Sequence, residues 1–405
     1  MAVGYTALPE LLSIPGVRIG ACAAGIRYQG RNDLVLFELA QGSRCAAMFT
    51  KNAFCAAPVI VAREHLASGE PHYLLINSGN ANAGTGRQGL DDARRSCALV
   101  GAQLGCDASR VLPFSTGVIG QRLPVERVEQ ALPMLVSTLS DTHWELGARA
   151  IMTTDTVAKG VSQQAEIDGR RVTLTGIAKG AGMIRPDMAT MLAFIATDAS
   201  VDPGFLNASL HRAVDRSFNR ITVDGDTSTN DACVLVATGM AGNFELKENH
   251  PQSDDFQRTL DGVCERLAQL IVRDAEGATK FITVEVSEGR DRRECLQVAY
   301  TIAHSPLVKT AMFASDPNWG RILAAVGRAG IDQLDIDRVS IFIGDVCIVR
   351  DGGVSPAYTE AAGQAAMKPA EITIRVSLGR GNVAEQVWTC DFSHDYVTIN
   401  AEYRT

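Results

Sequence analysis

Several sequence features that mark particular protein classes are missing from this chain of 405 residues. Its ten cysteines include no Cys-x-x-Cys pair, and no His-x-x-x-His spacing accompanies them, which argues against zinc and iron–sulfur sites. Lys and Arg number 38 against 46 Asp and Glu, giving a formal charge of −8, whereas nucleic-acid binders normally carry a basic face. No apolar run reaches the ~18 residues that a membrane span needs. We therefore expect no metal, no nucleic acid and no membrane partner.

The start of the chain and the cysteine content predict the compartment. The first twenty residues contain Glu10 and two prolines and lack the basic stretch that opens a secretory signal. A chain of this length does not need disulfides to stabilise its core, so reduced thiols are the expected state. These features predict a cytoplasmic protein.

The composition that is present indicates an ordered chain, with 46% hydrophobic and 21% charged residues. Short aliphatic runs bounded by turn residues predict strands, and helical spacing predicts helices. The predicted strands are 34–39, 58–62, 73–76, 149–154, 171–179, 190–196, 296–302, 339–343, 372–378 and 387–392. The predicted helices are 91–104, 123–139, 203–217 and 254–274. Because these elements do not alternate strictly, we expect an α+β or layered α/β fold, and a composition shift at 279–288 suggests domains 1–280 and 281–405.

Two motifs resemble known sites, but each lacks a required part. Residues 379–384 match G-x-G-x-x-A, but a strand pattern follows where a dinucleotide site needs a helix, so a hairpin turn is predicted. Residues 224–231 resemble the start of a calcium loop, yet the glycine at position six is missing and Leu235 replaces the bidentate Glu. We predict a polar turn there. His394 is a candidate base, although a structural histidine is the more common case.

The segment from Lys179 to Asp198 carries the chemistry. Two glycines and a proline precede Ala189-Thr190, and an apolar run follows. A threonine within a chain has no base beside it, but an N-terminal threonine can use its own α-amine, whose ordinary pKa is about 7.7–8.0. Attack by the Thr190 hydroxyl on the carbonyl of Ala189 and hydrolysis of the resulting ester would create such a residue. From these residues alone, a plain loop entering a core strand also fits.

Eight ordered blocks of sequence resemble the ArgJ family, the glutamate N-acetyltransferases and ornithine acetyltransferases of arginine biosynthesis. They comprise residues 77–83, 115–120, 151–156, 179–183, 224–231, 273–280, 316–321 and 396–405, together with the Ala189-Thr190 junction. The chain departs from the family pattern at Val157-Ala158-Lys159, where a proline often precedes the lysine, and at Pro186-Asp187, where Pro-Asn is common.

The resemblance implies a role for each matching residue. Ala189–Thr190 corresponds to a self-cleaved bond and Thr190 to the nucleophile, while the Thr116 hydroxyl and the Gly117 N–H correspond to the oxyanion donors. The implied substrate contacts are Thr156, Lys179, Thr190, Glu276, Asn400 and Thr405. Their chemistry suits zwitterionic amino acids, because a lysine can bind a carboxylate and a glutamate can bind an ammonium group. A surface lysine and a helix-end carboxylate remain the alternatives for Lys179 and Glu276.

The family also implies a reaction, an assembly and a fold. Acetyl transfer from N-acetylornithine to glutamate through Thr190 is expected, without a metal or other cofactor, and acetyl-CoA is a possible further donor. The expected assembly is an α2β2 pair of cleaved protomers. The implied fold is a layered αββα sandwich similar to the N-terminal-nucleophile-like aminopeptidases, with a smaller C-terminal α/β domain. The alternatives are an aminopeptidase or amidase of that fold, and an uncleaved binding protein.

Overall fold

The computed structural model describes residues 2–5, 7–185 and 191–402, which fall into two compact units. The large unit comprises residues 7–219 and 227–271 apart from the undescribed segment, and the small unit comprises residues 2–5, 220–226 and 272–402. None of the helices in these ranges is long and apolar enough to cross a membrane.

The large unit contains two sheets and the helices that cover them. Its strands are β1 Val17–Cys22, β2 Leu34–Leu39, β3 Arg44–Phe49, β4 Tyr73–Asn80, β5 Val111–Val118, β6 Lys159–Ile167, β7 Arg170–Lys179, β8 Leu192–Thr197 and β9 Ala232–Ala237. Its helices are α1 Ala57–Ser68, α2 Gly86–Leu104, α3 Val125–Ser137, α4 Trp144–Ala150, α5 Pro203–Arg216 and α6 Ser253–Arg273. The first sheet has the strand order β1-β2-β4-β5 and the second β3-β9-β8-β7-β6.

Alternation along the strands explains how the sheets stack. In β2, Val35 and Phe37 join a core that also contains Phe194 and Val234 of the second sheet, so the two sheets pack face to face. Leu36 points to the opposite side, into a core shared with α2 and α3. On the outer face of the second sheet, α5 packs against β3 and β9, and α6 lies over β7. The predicted layered αββα sandwich is therefore confirmed.

The small unit is a mixed sheet with helices. Its strands are β10 Phe281–Gly289, β11 Ser340–Ile343, β12 Val346–Arg350, β13 Gly353–Val354, β14 Glu371–Ser377 and β15 Val383–Cys390. Its helices are α7 Arg292–Ala303, α8 Pro306–Phe313, α9 Trp319–Gly327, α10 Glu360–Met367 and α11 His394–Glu402. The strand order is β13-β12-β11-β14-β10-β15. Apolar residues of β10, β11 and β14 pack with those of α7 and α9 in a single core, which is the smaller α/β arrangement expected.

Three predicted strands are wrong, because two of the segments are helical and the third is a helix end followed by a turn. Residues 58–62 lie in α1, where Pro58 stands in the first turn and good helix formers follow the apolar run. Residues 149–154 cover the end of α4 and the turn after it, and Ala150 is buried beside Trp144 in the core between the sheets. Residues 296–302 lie in α7, whose buried positions recur at helical spacing behind the Asp291 cap.

The turn at 379–384 differs from the prediction in its pairing. A strand, β15, does follow β14, as the sequence pattern indicates. The two strands are not partners, however, because β10 lies between them, parallel to β14 and antiparallel to β15. They therefore form no hairpin. His394 is the first residue of α11. Residues 224–226 form a polar turn in which the Asp226 N–H donates to the Asp224 carboxylate at 3.1 Å.

Candidate active site

The end of β5 accepts only a glycine after Thr116. The strand runs parallel to β4, with Gly117 opposite Gly79, and its register shifts at Asn80. Gly117 has a φ of +134°, and a Cβ there would lie 2.2 Å from the Gly79 carbonyl carbon and 2.6 Å from the Asn80 nitrogen. Both the backbone conformation and the contact exclude a side chain. The Thr116 hydroxyl thus lies beside a backbone position that only glycine can occupy.

Lys179, the last residue of β7, contacts this strand end. Its Nζ donates to the Thr116 Oγ1 at 3.1 Å and to the Thr153 Oγ1 at 2.7 Å. The lysine is 9% exposed and Thr116 is equally buried. A hydroxyl whose oxygen accepts a hydrogen bond keeps its own hydrogen for another acceptor. The Thr116 hydroxyl can therefore donate to a group in the site while Lys179 holds its oxygen.

Asp155 is a buried carboxylate that joins several of these groups. Its Oδ1 accepts from the Lys159 Nζ at 2.6 Å and from the Gly180 N–H at 2.7 Å, and its Oδ2 accepts from the Thr153 N–H at 3.0 Å. Burial alone would raise the pKa of Asp155, but the charges of Lys159 and Lys179 and these hydrogen bonds outweigh it and hold the pKa below its usual range. The group is charged at neutral pH.

The strand pairing brackets the segment that carries the predicted nucleophile. Lys179 of β7 pairs with Leu192 of β8, so the two ends of the connection lie side by side. The Met191 carbonyl accepts the Ala232 N–H at 2.9 Å, which fixes the chain where β8 begins. Ala189 and Thr190 themselves lie outside the described residues, as does Thr405.

Asp231 precedes β9 at the same end of the second sheet. Its side chain is buried, and within the described ranges its Oδ2 has no hydrogen-bond partner. Burial raises the pKa of Asp231 well above its ordinary value, although a hydrogen bond from Ser228 and the charge of Lys179 act in the opposite direction. Asp231 therefore holds its proton to a higher pH than Asp155 does.

The small unit brings together two further predicted contacts. The Asn400 Nδ2 in α11 donates to the Glu276 Oε2 at 2.8 Å and to the Tyr396 carbonyl at 3.0 Å. Glu276 is 7% exposed and so is not the surface carboxylate that was the alternative reading. Thr156, by contrast, is exposed in the large unit.

The comparisons with known proteins decide the family. The ArgJ family model matches residues 18–405. This chain belongs to the ArgJ family. Among curated relatives, the arginine biosynthesis bifunctional protein ArgJ of Pseudomonas syringae pathovar tomato is 55% identical over 406 residues, covering 100% of each chain. The protein of the same name from Methylococcus capsulatus is 58% identical over 396 residues, covering 98% of this chain and 97% of its own.

A solved ArgJ structure is also similar. The arginine biosynthesis bifunctional protein ArgJ of Bacillus halodurans is 41% identical and covers 51% of this chain and 96% of its own, with a TM-score of 0.49.

In this ArgJ family chain, sequence reasoning overlooked three residues of the cluster, namely Thr153, Asp155 and Lys159. Their signal was a Thr-Thr-Asp-Thr run followed by a lysine four residues after the aspartate. The functional meaning of that run comes from strand pairing, because β6 places Lys159 opposite Ala178, the neighbour of Lys179. Where the chain is described, no three His, Cys, Asp or Glu side chains are arranged to hold a metal ion.

Proposed function

We propose that this chain is a self-cleaving acetyltransferase of arginine biosynthesis. It transfers the acetyl group of N2-acetylornithine to glutamate through an acetyl ester of Thr190, and the products are ornithine and N-acetylglutamate. The family membership and the names of the relatives support this reaction. The observation that carries it is the Lys179–Thr116 hydrogen bond beside Gly117, at the strand end that brackets the Thr190 segment.

Self-cleavage is the first proposed step. The Thr190 hydroxyl attacks the Ala189 carbonyl carbon, the acyl group moves from nitrogen to oxygen, and water hydrolyses the ester. The products are fragments of 189 and 405 − 189 = 216 residues, the second beginning with a free α-amine. That amine then takes the proton of its own hydroxyl, directly or through a water molecule.

The acetyl transfer follows as a double displacement. Thr190 attacks the acetyl carbonyl of N-acetylornithine, ornithine leaves, and the amine of glutamate attacks the ester. Each step passes through an oxyanion, for which the Thr116 O–H and the Gly117 N–H are the proposed donors. The amide bond of N-acetylornithine and that of N-acetylglutamate have nearly equal free energies of hydrolysis, so the cycle as proposed uses no cofactor.

We assign substrate recognition to a positively charged lysine and a negatively charged glutamate. Lys179 binds a carboxylate, while Glu276 with Asn400 binds an ammonium group, and Thr405 adds a polar contact. Thr156 keeps its assigned substrate contact, and we add the nearby Thr153, whose hydroxyl lies 2.7 Å from the Lys179 Nζ. The curated relatives are named bifunctional, and on that ground we include acetyl-CoA as a second acetyl donor.

One assay tests the reaction. The purified protein is incubated with N-acetylornithine, with and without glutamate, and then analysed by denaturing gel and mass spectrometry. We expect two fragments, an acetyl group on the fragment that begins at Thr190, and N-acetylglutamate only when glutamate is present. Thr190→Val, which removes the hydroxyl, should give one uncleaved chain. Acetate release that does not depend on glutamate would instead identify an amidase, and an uncleaved, inactive chain would indicate a binding protein.

The assembly and the second donor have their own measurements. We propose an α2β2 pair of cleaved protomers that acts in the cytoplasm. Light scattering coupled to size-exclusion chromatography measures the mass of this assembly. Release of CoA from acetyl-CoA in the presence of glutamate tests the second donor.

A further inference from the structure

Two lysines of the large unit share one buried carboxylate at unequal distances. The Lys159 Nζ lies 2.6 Å from the Asp155 Oδ1, whereas the Lys179 Nζ lies 4.0 Å from the Asp155 Oδ2. The side chains of Asp155 and Lys159 are completely buried, and that of Lys179 is 11% exposed. The pairing of β6 with β7 places Lys159 opposite Ala178 and thereby sets this arrangement.

The unequal distances decide which lysine neutralises the carboxylate. The attraction between two charges falls with their separation, and burial strengthens it relative to water. Asp155 also accepts the backbone N–H groups of Gly180 and Thr153, so both of its oxygens already have donors. Lys179 remains at 4.0 Å and donates to the hydroxyls of Thr116 and Thr153.

We infer that Lys159 is a positioning residue, whose ammonium group takes up the charge of Asp155 and so keeps the Lys179 Nζ on the Thr116 hydroxyl. Its catalytic readout rests on the proposed function, in which Thr116 donates to the oxyanion. Without Lys159, the carboxylate of Asp155 draws the Lys179 ammonium away from Thr116. The Asp231 carboxyl also interacts electrostatically with Lys179, and burial raises the pKa of this carboxyl, so it holds its proton to a higher pH than Asp155 does.

This inference predicts rescue by a second substitution. A pair that only holds the fold together would lower the melting temperature of each single variant and restore it in the double variant, but it would leave the Lys179 Nζ on Thr116 in all of them. If Lys159 acts through the charge of Asp155, removing that charge as well removes the attraction that draws Lys179 from the Thr116 and Thr153 hydroxyls, and activity returns. Residues in direct contact show such coupling, and a double-mutant cycle measures it.

The experiment compares wild type, Lys159→Met, Asp155→Asn and the double variant in the acetyl-transfer assay. We expect kcat/KM of Lys159→Met to fall by about tenfold or more, and that of the double variant to recover to within about threefold of wild type. Asp155→Asn leaves two buried ammonium groups without their carboxylate and should lower the melting temperature most. A double variant that melts like Lys159→Met but is no more active overturns the inference.

Two further variants control for stability. Arg380→Met breaks another nearly buried pair, in which the Arg380 Nε lies 2.8 Å from the Glu294 Oε1 in the small unit. It should lower the melting temperature while kcat/KM stays within about twofold. Lys159→Arg keeps the charge and should keep activity. If Lys159→Met does not fold, the double variant is judged against wild type, and a hundredfold loss of kcat/KM in a folded double variant overturns the inference.

The failure of this inference is distinguishable from that of the proposed function. Absence of acetyl transfer in the wild type overturns the proposed function, whereas normal wild-type transfer without rescue overturns the inference alone. Crystal structures of Lys159→Met and of the double variant decide the inference without turnover. The Lys179 Nζ should lie within about 3 Å of the Asp155 carboxylate in the first and within hydrogen-bond distance of the Thr116 Oγ1 in the second.

Discussion

Removal of the Asp391 carboxylate should loosen α11, the last helix of the small unit that the structure describes. Asp391 is 1% exposed, and its Oδ1 accepts the N–H groups of Thr279 and Lys280 at 2.8 and 2.9 Å. Its Oδ2 accepts the Thr279 hydroxyl. The Ser393 Oγ donates to the Gly277 carbonyl at 2.6 Å. These bonds, together with the Asn400–Glu276 contact, fasten residues 391–400 to the loop 276–280.

The size of the effect follows from these bonds. Asp391→Ala removes three hydrogen bonds to a charged acceptor and leaves two backbone N–H groups without it. Such bonds contribute ~1.5–3 kcal/mol each, and partial access of water reduces the sum, so we expect a loss of about 3–5 kcal/mol. The melting temperature of a unit of this size should fall by on the order of 10 °C. Asp391→Asn, which keeps one oxygen acceptor, should cost less.

Two measurements on the same variants test the effect. Thermal unfolding reports stability, and the acetyl-transfer assay reports KM and kcat. Because the helix that carries Asn400 is loosened, we expect KM for N-acetylornithine to rise about tenfold in Asp391→Ala, with a smaller change in kcat. Asp291→Ala is the matched control, since Asp291 caps α7 beyond the other end of β10. It should cost ~1 kcal/mol and leave KM unchanged.

The outcome that refutes this reasoning is specific. A lower melting temperature with an unchanged KM would show that the hydrogen bonds of Asp391 stabilise the unit without orienting Asn400. An unchanged melting temperature would show that the three hydrogen bonds contribute little.

Three further predictions concern the large unit. Thr116→Val should lower kcat of acetyl transfer by ~10²–10³ with the melting temperature nearly unchanged, and near-normal turnover would remove Thr116 from the oxyanion site. Gly117→Ala should abolish folding or activity because of the 2.2 Å contact, whereas Gly120→Ala, with φ +80° and no atom within 4 Å, should cost only backbone strain in a urea melt. Asp231→Asn should stabilise the protein. A carboxyl whose pKa is higher in the folded than in the unfolded state destabilises the folded protein increasingly as pH rises from the unfolded-state pKa to the folded-state pKa. The stability gained by Asp231→Asn should therefore grow with pH. Thermal melts at pH 5 and pH 8 that show no such trend would contradict this prediction.

The sequence pattern predicted helices and strands correctly where the spacing of apolar residues matched only one of the two structures. The strand at 34–39 coincides with β2, and the apolar repeat at 254–274 is α6 within a residue. It failed at 58–62 and 296–302, where short aliphatic runs fit a strand and a buried helix equally well. In α7, Cys295, Val298 and Ile302 are spaced as on one face of a helix. Their burial, which identifies that face, depends on tertiary contacts.

The candidate site likewise contains residues that the sequence identified and residues that only the structure revealed. Motif resemblance identified Thr116 and Lys179, and the structure brings their side chains to 3.1 Å. It did not identify Lys159, because a single lysine looks like a surface residue until its burial is known. Thr190 and Ala189 lie outside the described residues, so their roles stay predictions.

The sequence by itself determined the family and predicted the chemistry, because ordered motifs and a threonine after a small residue are properties of the chain. The tertiary structure alone decided which charges meet. Asp155 lies closer to Lys159 than to Lys179, and the antiparallel pairing of β6 and β7 brings both lysines to the same end of the sheet. Such distances depend on strand register and burial, and neither can be read from the order of residues.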